Sequence, residues 1–232
     1  MRPADVPDQT SYTYVSEWGV PRDKWADYLA SQEKLKPIVE KLMADGTLIG
    51  WGNFAVAVHT AEGYTHGSWW TARTLGDLLR AEDVIAQTPT TMNPALAGMK
   101  HEDHLFRSLA SGGKPGASGS GYLWVSMDPL VTGQMSTFVG ILKGDIQPLF
   151  DRLVTEGTVL EYAVNTEVVH TQNENTIFIT YLLNGPDALD KFRAAVAAAE
   201  AKIPSFEPAA NAVVHGEGHR DLFLRVTAFA AK

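Results

Sequence analysis

The sequence predicts an α+β chain made by duplication, with one β-α-β-β-α-β unit occurring twice. Three observations carry this expectation. First, the segment Pro37–Thr47 (PIVEKLMADGT) returns as Pro148–Thr158 (PLFDRLVTEGT). This shift of 111 positions also carries Trp51 onto Tyr162, His59 onto His170, Thr65 onto Thr176, Trp70 onto Tyr181 and Leu78 onto Leu189. Second, after an insertion of 7 residues the shift becomes 118, pairing Asn93 with Asn211, His101 with His219, Asp103 with Asp221 and Arg107 with Arg225. Both copies then read H-x-D-x-x-x-R. Third, residues 111–121 (SGGKPGASGSG) have the composition of a flexible connection. The division is therefore a first unit at 1–110, a Gly/Ser-rich linker at 111–121 and a second unit at 122–232.

Each unit opens with a short alternating strand, Tyr12–Ser16 and Tyr122–Ser126. A helix follows in the first copy, entered at Pro21, with Trp25, Tyr28, Leu35, Val39 and Leu42 at helical spacing and a stop at Gly46. Pro37 should break it in two. Two strands come next, Thr47–Thr60 and Tyr64–Thr71, turning at Ala61–Gly63; the second copy turns around Gln172–Asn175. A second helix runs from Leu75 to Ala86, and its Ala-rich counterpart from Pro186 to Lys202. The units close with strands His101–Ala110 and His219–Ala228.

Composition narrows function by exclusion. The net charge of -8 comes without a Lys/Arg-rich block, so no nucleic-acid or anionic-membrane footprint is present. With no Cys there is no disulfide or thiolate chemistry. No apolar run reaches the roughly 20 residues of a membrane helix, which reads as a soluble chain. The compartment stays open, because a cytoplasmic protein and an exported one with its signal removed would look alike. Self-association as a homo-oligomer is equally open. There is no phosphate loop, nucleophile elbow or carboxylate cluster of metal-binding type.

The element order is that of the ferredoxin-like split βαβ unit. On that order and the duplication, the chain resembles the dimeric α/β-barrel superfamily, and the resemblance covers nearly the whole sequence. It implies two ferredoxin-like units facing each other across their open sheet surfaces to form one intramolecular barrel. It also implies a small-molecule ligand and chemistry of the cofactor-independent monooxygenase or isomerase kind, or haem-linked chemistry.

Alternation then nominates a site. If the apolar set Leu222, Leu224 and Val226 faces the helices, together with Val15 and Val125, then Asp221, Phe223, Arg225 and Thr227 face the barrel. His101, Asp103, Leu105 and Arg107 match them in the first copy, and Tyr14 and Trp124 line the same space. In this reading Arg107 and Arg225 hold the ligand's polar end, with Asp103 and Asp221 beside them. Tyr14, Trp124, Trp51 and Tyr162 hold its body, and His59 or His170 accepts a proton. His66, Trp70, His101 and His219 complete the nominated set, the first copy being the more polar half because His66 and Trp70 align with Ile177 and Tyr181.

Blander readings stand beside these. The Asp and Arg residues would serve equally as ion pairs joining the sheets, and strand aromatics as core. The histidines admit a haem or a divalent metal, although none is required by the sequence and their spacings match no zinc signature. A non-catalytic binding or assembly module is the competing function, and it predicts a barrel packed solid.

Overall fold

A computed structural model describes residues 10–88, 97–171, 175–202 and 212–232. The Asn93–Asn211 pairing and most of the turn at Gln172–Asn175 lie outside the described residues. The chain runs β1 (Tyr12–Gly19), α1 (Trp25–Ala44), β2 (Gly50–Val56), β3 (His66–Ala72), α2 (Leu75–Ala86) and β4 (Lys100–Gly113). The second unit follows with β5 (Ser118–Pro129), α3 (Met135–Ile141), α4 (Gln147–Thr155), β6 (Val159–Glu167), β7 (Thr176–Leu183), α5 (Asp187–Glu200) and β8 (Arg220–Ala231). All eight strands close into one antiparallel barrel in the order β1-β3-β2-β8-β5-β7-β6-β4. Each unit keeps the split-βαβ order, and the units join at two seams, β2 with β8 and β4 with β6.

Two local expectations differ from what is found. Residues 111–121 are mostly strand: Ser111 pairs with Ala163 and Ser118 with Ala230, leaving a turn at residues 114–117. Closing the barrel gives these backbone groups ladder partners that composition alone does not reveal. Pro37 sits inside the continuous helix α1. The proline is exposed, so the carbonyl it leaves unbonded can face water, while buried Leu35, Val39 and Leu42 hold the helix on both sides of it.

The break occurs in the second copy instead, where a π-helical turn, Leu142–Ile146, separates α3 from α4. Register explains it. Buried Tyr28 corresponds to buried Phe138 at a shift of 110, whereas Pro37 corresponds to Pro148 at a shift of 111. The second copy has gained one residue between those points, and a single inserted residue within a helix is absorbed as a π turn.

The largest correction concerns strand faces. Val15, Val125, Leu222, Leu224 and Val226 point into the barrel, where they pack with Phe54, Trp69, Phe106 and Phe178. Tyr14, Trp51, Trp70 and Leu105 lie on the outside, in the core formed with α1 and α2. Tyr122, Trp124, Tyr162 and Tyr181 do the same beneath α4 and α5. The alternation was sound but the choice of side was inverted, because apolar chains are needed both inside the barrel and beneath the helices, so apolarity no longer marks the helix side. Large aromatics fill the wedge between sheet and helix, while the interior combines aliphatic chains with Phe54, Trp69, Phe106 and Phe178 and takes glycine where strands approach closely. At Gly67 a Cβ would lie 2.5 Å from the Ser16 carbonyl oxygen and overlap the Phe54 ring.

Candidate functional site

Of the nominated residues, the first-unit set gathers on the outer sheet face beneath the helices. Tyr14 stacks on Trp70 with centroids 5.3 Å apart. His101 Nε2 lies 2.8 Å from Ser16 Oγ and 2.9 Å from Asp103 Oδ1, and its ring stacks on Trp18. His66 is wedged between Trp25 and Tyr28, and burial lowers its pKa. Glu82 of α2, which was not nominated, joins this cluster and is pushed up to about 7, chiefly by burial. The wedge is packed shut, with a void of about 10 Å3 beside Trp51 and Trp70.

Its second-unit counterpart is open. A cavity of about 490 Å3 lies between the sheet and the helices, walled by Trp124, Phe150, Tyr181 and Phe192, with Asp221 at its lip. Tyr181 stands where the first copy has Trp70, and it stacks on Phe192 at 4.1 Å instead of closing onto Trp124, 6.3 Å away. The π turn supplies Asp145 and Ile146 to the wall.

The repeated H-x-D pair sits beside this cavity. Asp221 Oδ1 accepts from Trp124 Nε1 at 2.8 Å, and Asp221 Oδ2 lies 3.3 Å from His219 Nε2. His219 Nδ1 is 2.8 Å from Asp128 Oδ1, and Asp128 accepts in turn from Ser126. Burial opposes the charge on His219, but Asp128 and then Asp221 outweigh it and raise its pKa. Asp128 occupies the position of Trp18 in the first copy, so the second copy has gained a carboxylate behind its histidine.

The other nominated residues fall elsewhere. Arg107 and Arg225 are exposed on the outer surface at the two seams, and are not in a barrel floor. Strand parity places them there, on the same face as Asp103 and Asp221. Arg225 reaches Tyr122, while Asp103 and Asp221 pair with histidines of their own strands. His59 and His170 are exposed on the connections that follow β2 and β6; His59 lines neither large cavity, whereas His170 meets Arg107 and Glu167 around a smaller one of about 200 Å3.

The space between the sheets is not packed solid. It holds a cavity of about 360 Å3, bounded by the strand faces opposite to those nominated. Its mouth carries Glu17, Glu62, Tyr64, Glu102 and His104. Tyr64 donates to Glu102 at 2.5 Å. His104 Nδ1 lies 2.9 Å from Glu167 Oε1 and Nε2 lies 3.5 Å from Glu17 Oε2. Burial works against its charge, yet Glu17 and Glu167 raise its pKa to about 8. Further along the wall is half-buried Glu161, its pKa pushed up to about 7 by desolvation. Sequence reasoning missed Glu161, although a carboxylate between Leu160 and Tyr162 in a strand was a readable signal.

The residues present do not fit a haem. The wall of the sheet–helix cavity has no histidine, His104, which faces the barrel, has both ring nitrogens engaged by carboxylates, and the cavity that His170 lines, about 200 Å3, is too small for the group. Among the described residues no group of three or more His, Asp or Glu is arranged to hold a metal ion. Among the same residues, no helix is long and apolar enough to cross a membrane.

No protein-family model matches the chain, and no curated protein is similar to it in sequence. Solved structures are similar to it in fold. A candidate monooxygenase from Lactobacillus acidophilus superposes with a TM-score of 0.68 at 11% identity, covering 96% of this chain and 100% of that one. A candidate monooxygenase from Fusobacterium nucleatum gives 0.68 at 13%, covering 97% and 96%. Chlorite dismutase from Candidatus Nitrospira defluvii gives 0.57 at 13%, covering 95% and 92%. The chain has the fold of the dimeric α/β-barrel superfamily, with both halves of the barrel supplied by one polypeptide.

Proposed function

We propose that the chain is a small-molecule enzyme of the cofactor-independent oxygenase or isomerase type, with its ligand in the sheet–helix cavity of the second unit. The observation that carries this reading is the contrast between the copies. The same wedge is filled by Trp70 in the first and hollow in the second, where a one-residue insertion and its π turn form part of the wall. π turns of this kind recur at functional sites. The names of the superposed monooxygenases agree with the reading.

The cavity suits a flat, largely apolar molecule held among aromatic faces. Asp221, oriented by Trp124 and His219, is the group placed to take a proton from an activated C–H or O–H of such a ligand. His219, backed by Asp128, would stabilise the negative charge of Asp221 and pass the proton towards solvent. Both oxygenation without a cofactor and isomerisation begin with that proton removal.

The test uses 2-tetralone, a neutral bicyclic ketone with acidic C–H bonds, followed by calorimetry and by deuterium incorporation in heavy water. The parent should bind it and accelerate exchange. Asp221→Asn should bind within about tenfold and lose roughly 100-fold in exchange, the usual range for a general base. Val196→Trp, which fills the cavity from α5, should abolish binding. Unchanged binding by Val196→Trp would sink the proposal.

A further inference from the structure

We propose that the barrel interior is a second ligand site, separate from the sheet–helix cavity, and that it takes an apolar molecule ending in a protonated amine, with Glu161 as the counter-ion. The two cavities have no lining residue in common and lie on opposite faces of the sheet. A site in one can therefore be filled or disabled without touching the other.

The interior offers one strong anionic anchor in apolar surroundings. Glu161 projects inward from β6, opposite Gly113, which has no side chain to meet it, and Leu182, which cannot bond it. Among the described residues no hydrogen bond or ion pair reaches its carboxylate. Below it the barrel is closed by Leu182, Val226 and Phe229, so its open side is the cavity. A desolvated carboxylate without a partner is costly and is retained where something supplies the missing charge. The raised pKa expresses the same deficit.

The walls and mouth decide what that something is. Trp69, Phe106 and Phe178 present aromatic faces suited to an alkyl body and to a cation passing over them. A bare metal ion needs several oxygen ligands, and the Glu161 end supplies one carboxylate. Around the mouth, Glu17, Glu62, Glu102 and Glu167 outnumber Arg220, His104 and Lys100; Arg220 is already paired with Glu62, Lys100 donates to the Glu62 carbonyl, and His104 is held by Glu167 and Glu17. An excess of negative charge around a narrow apolar entrance draws cations in and turns anions away. An amine with a short hydrocarbon body meets all three conditions.

The probes are n-octylamine, 1-octanol and octanoate, titrated calorimetrically into the full chain with the tryptophan emission followed in parallel. The amine should bind about 10- to 100-fold more tightly than the alcohol, as a charged hydrogen bond in a dry site gives, and octanoate should not bind. Glu161→Gln should bring the amine down to the affinity of the alcohol and leave the alcohol unchanged. Ala163→Leu, which fills the cavity without altering Glu161, should weaken both. Asp221→Asn should leave all three as in the parent. Equal affinity for amine and alcohol in the parent, no binding of either, or an amine preference that survives Glu161→Gln or is lost in Asp221→Asn would overturn the inference. None of these results bears on 2-tetralone binding in the other cavity.

Discussion

Glu161→Gln should stabilise the protein above neutral pH and leave its stability unchanged in acid. The glutamate enters the unfolded chain with a pKa of 4.5 and is raised to about 7 in the folded one, by burial. The folded state therefore holds this proton more tightly than the unfolded state. Stability from the protonated form is fully present below 4.5 and is lost as pH rises to about 7. A difference of about 2.5 units corresponds to roughly 3 kcal/mol at 1.36 kcal/mol per unit. Glutamine has nearly the same shape and carries no charge, so it escapes this loss. Urea denaturation of parent and variant at pH 4 and pH 8 checks it, and taking the difference between them cancels the parallel contribution of Glu82. The curves should coincide at pH 4 and separate by about 3 kcal/mol at pH 8. A variant no more stable than the parent at pH 8 would show that Glu161 ionises without cost and that the interior is not dry around it.

Other perturbations read other parts of the structure. His104, raised from 6.5 to about 8, contributes roughly 2 kcal/mol that is present below 6.5 and lost as pH rises through 8. His104→Gln should remove that slope between pH 6.5 and 8, and denaturation across the interval measures it. Gly67→Ala should destabilise by about 3 kcal/mol, since the Ser16 carbonyl it meets belongs to a paired strand and cannot yield. A loss under 1 kcal/mol in urea would contradict the packing. Deleting Gly144 should convert the π turn to α-helix, restore the register of the first copy and narrow the sheet–helix cavity. Circular dichroism should stay native while 2-tetralone affinity falls about tenfold or more, and unchanged affinity would separate the π turn from the cavity.

The order of elements and the barrel were legible in the sequence because each rests on local or repeated information. Periodicity marks a strand or helix, and two matching copies mark two matching units. Even the acid–histidine pairs were visible, since His101 with Asp103 and His219 with Asp221 stand two residues apart on one strand face. The π turn was present too, as a one-residue change of register between Tyr28/Phe138 and Pro37/Pro148, but its effect on a cavity wall was not.

What the tertiary structure alone decided was the side on which each face lies and what meets across it. Alternation sorts a strand into two sets without saying which is inside, because apolar chains are needed both within the barrel and beneath the helices. Hence Arg107 and Arg225 are at the surface, while Val15 and Leu222 line the interior. Likewise, Glu161 on β6 and His104 on β4 come to face one space because strands far apart in the chain are brought round a closed ring. The amino-acid order determined the units. Their closure on each other, by turning one face of every strand to a shared interior and leaving the other to the helices and the seams, determined where charge could be exposed, paired or left waiting for a partner.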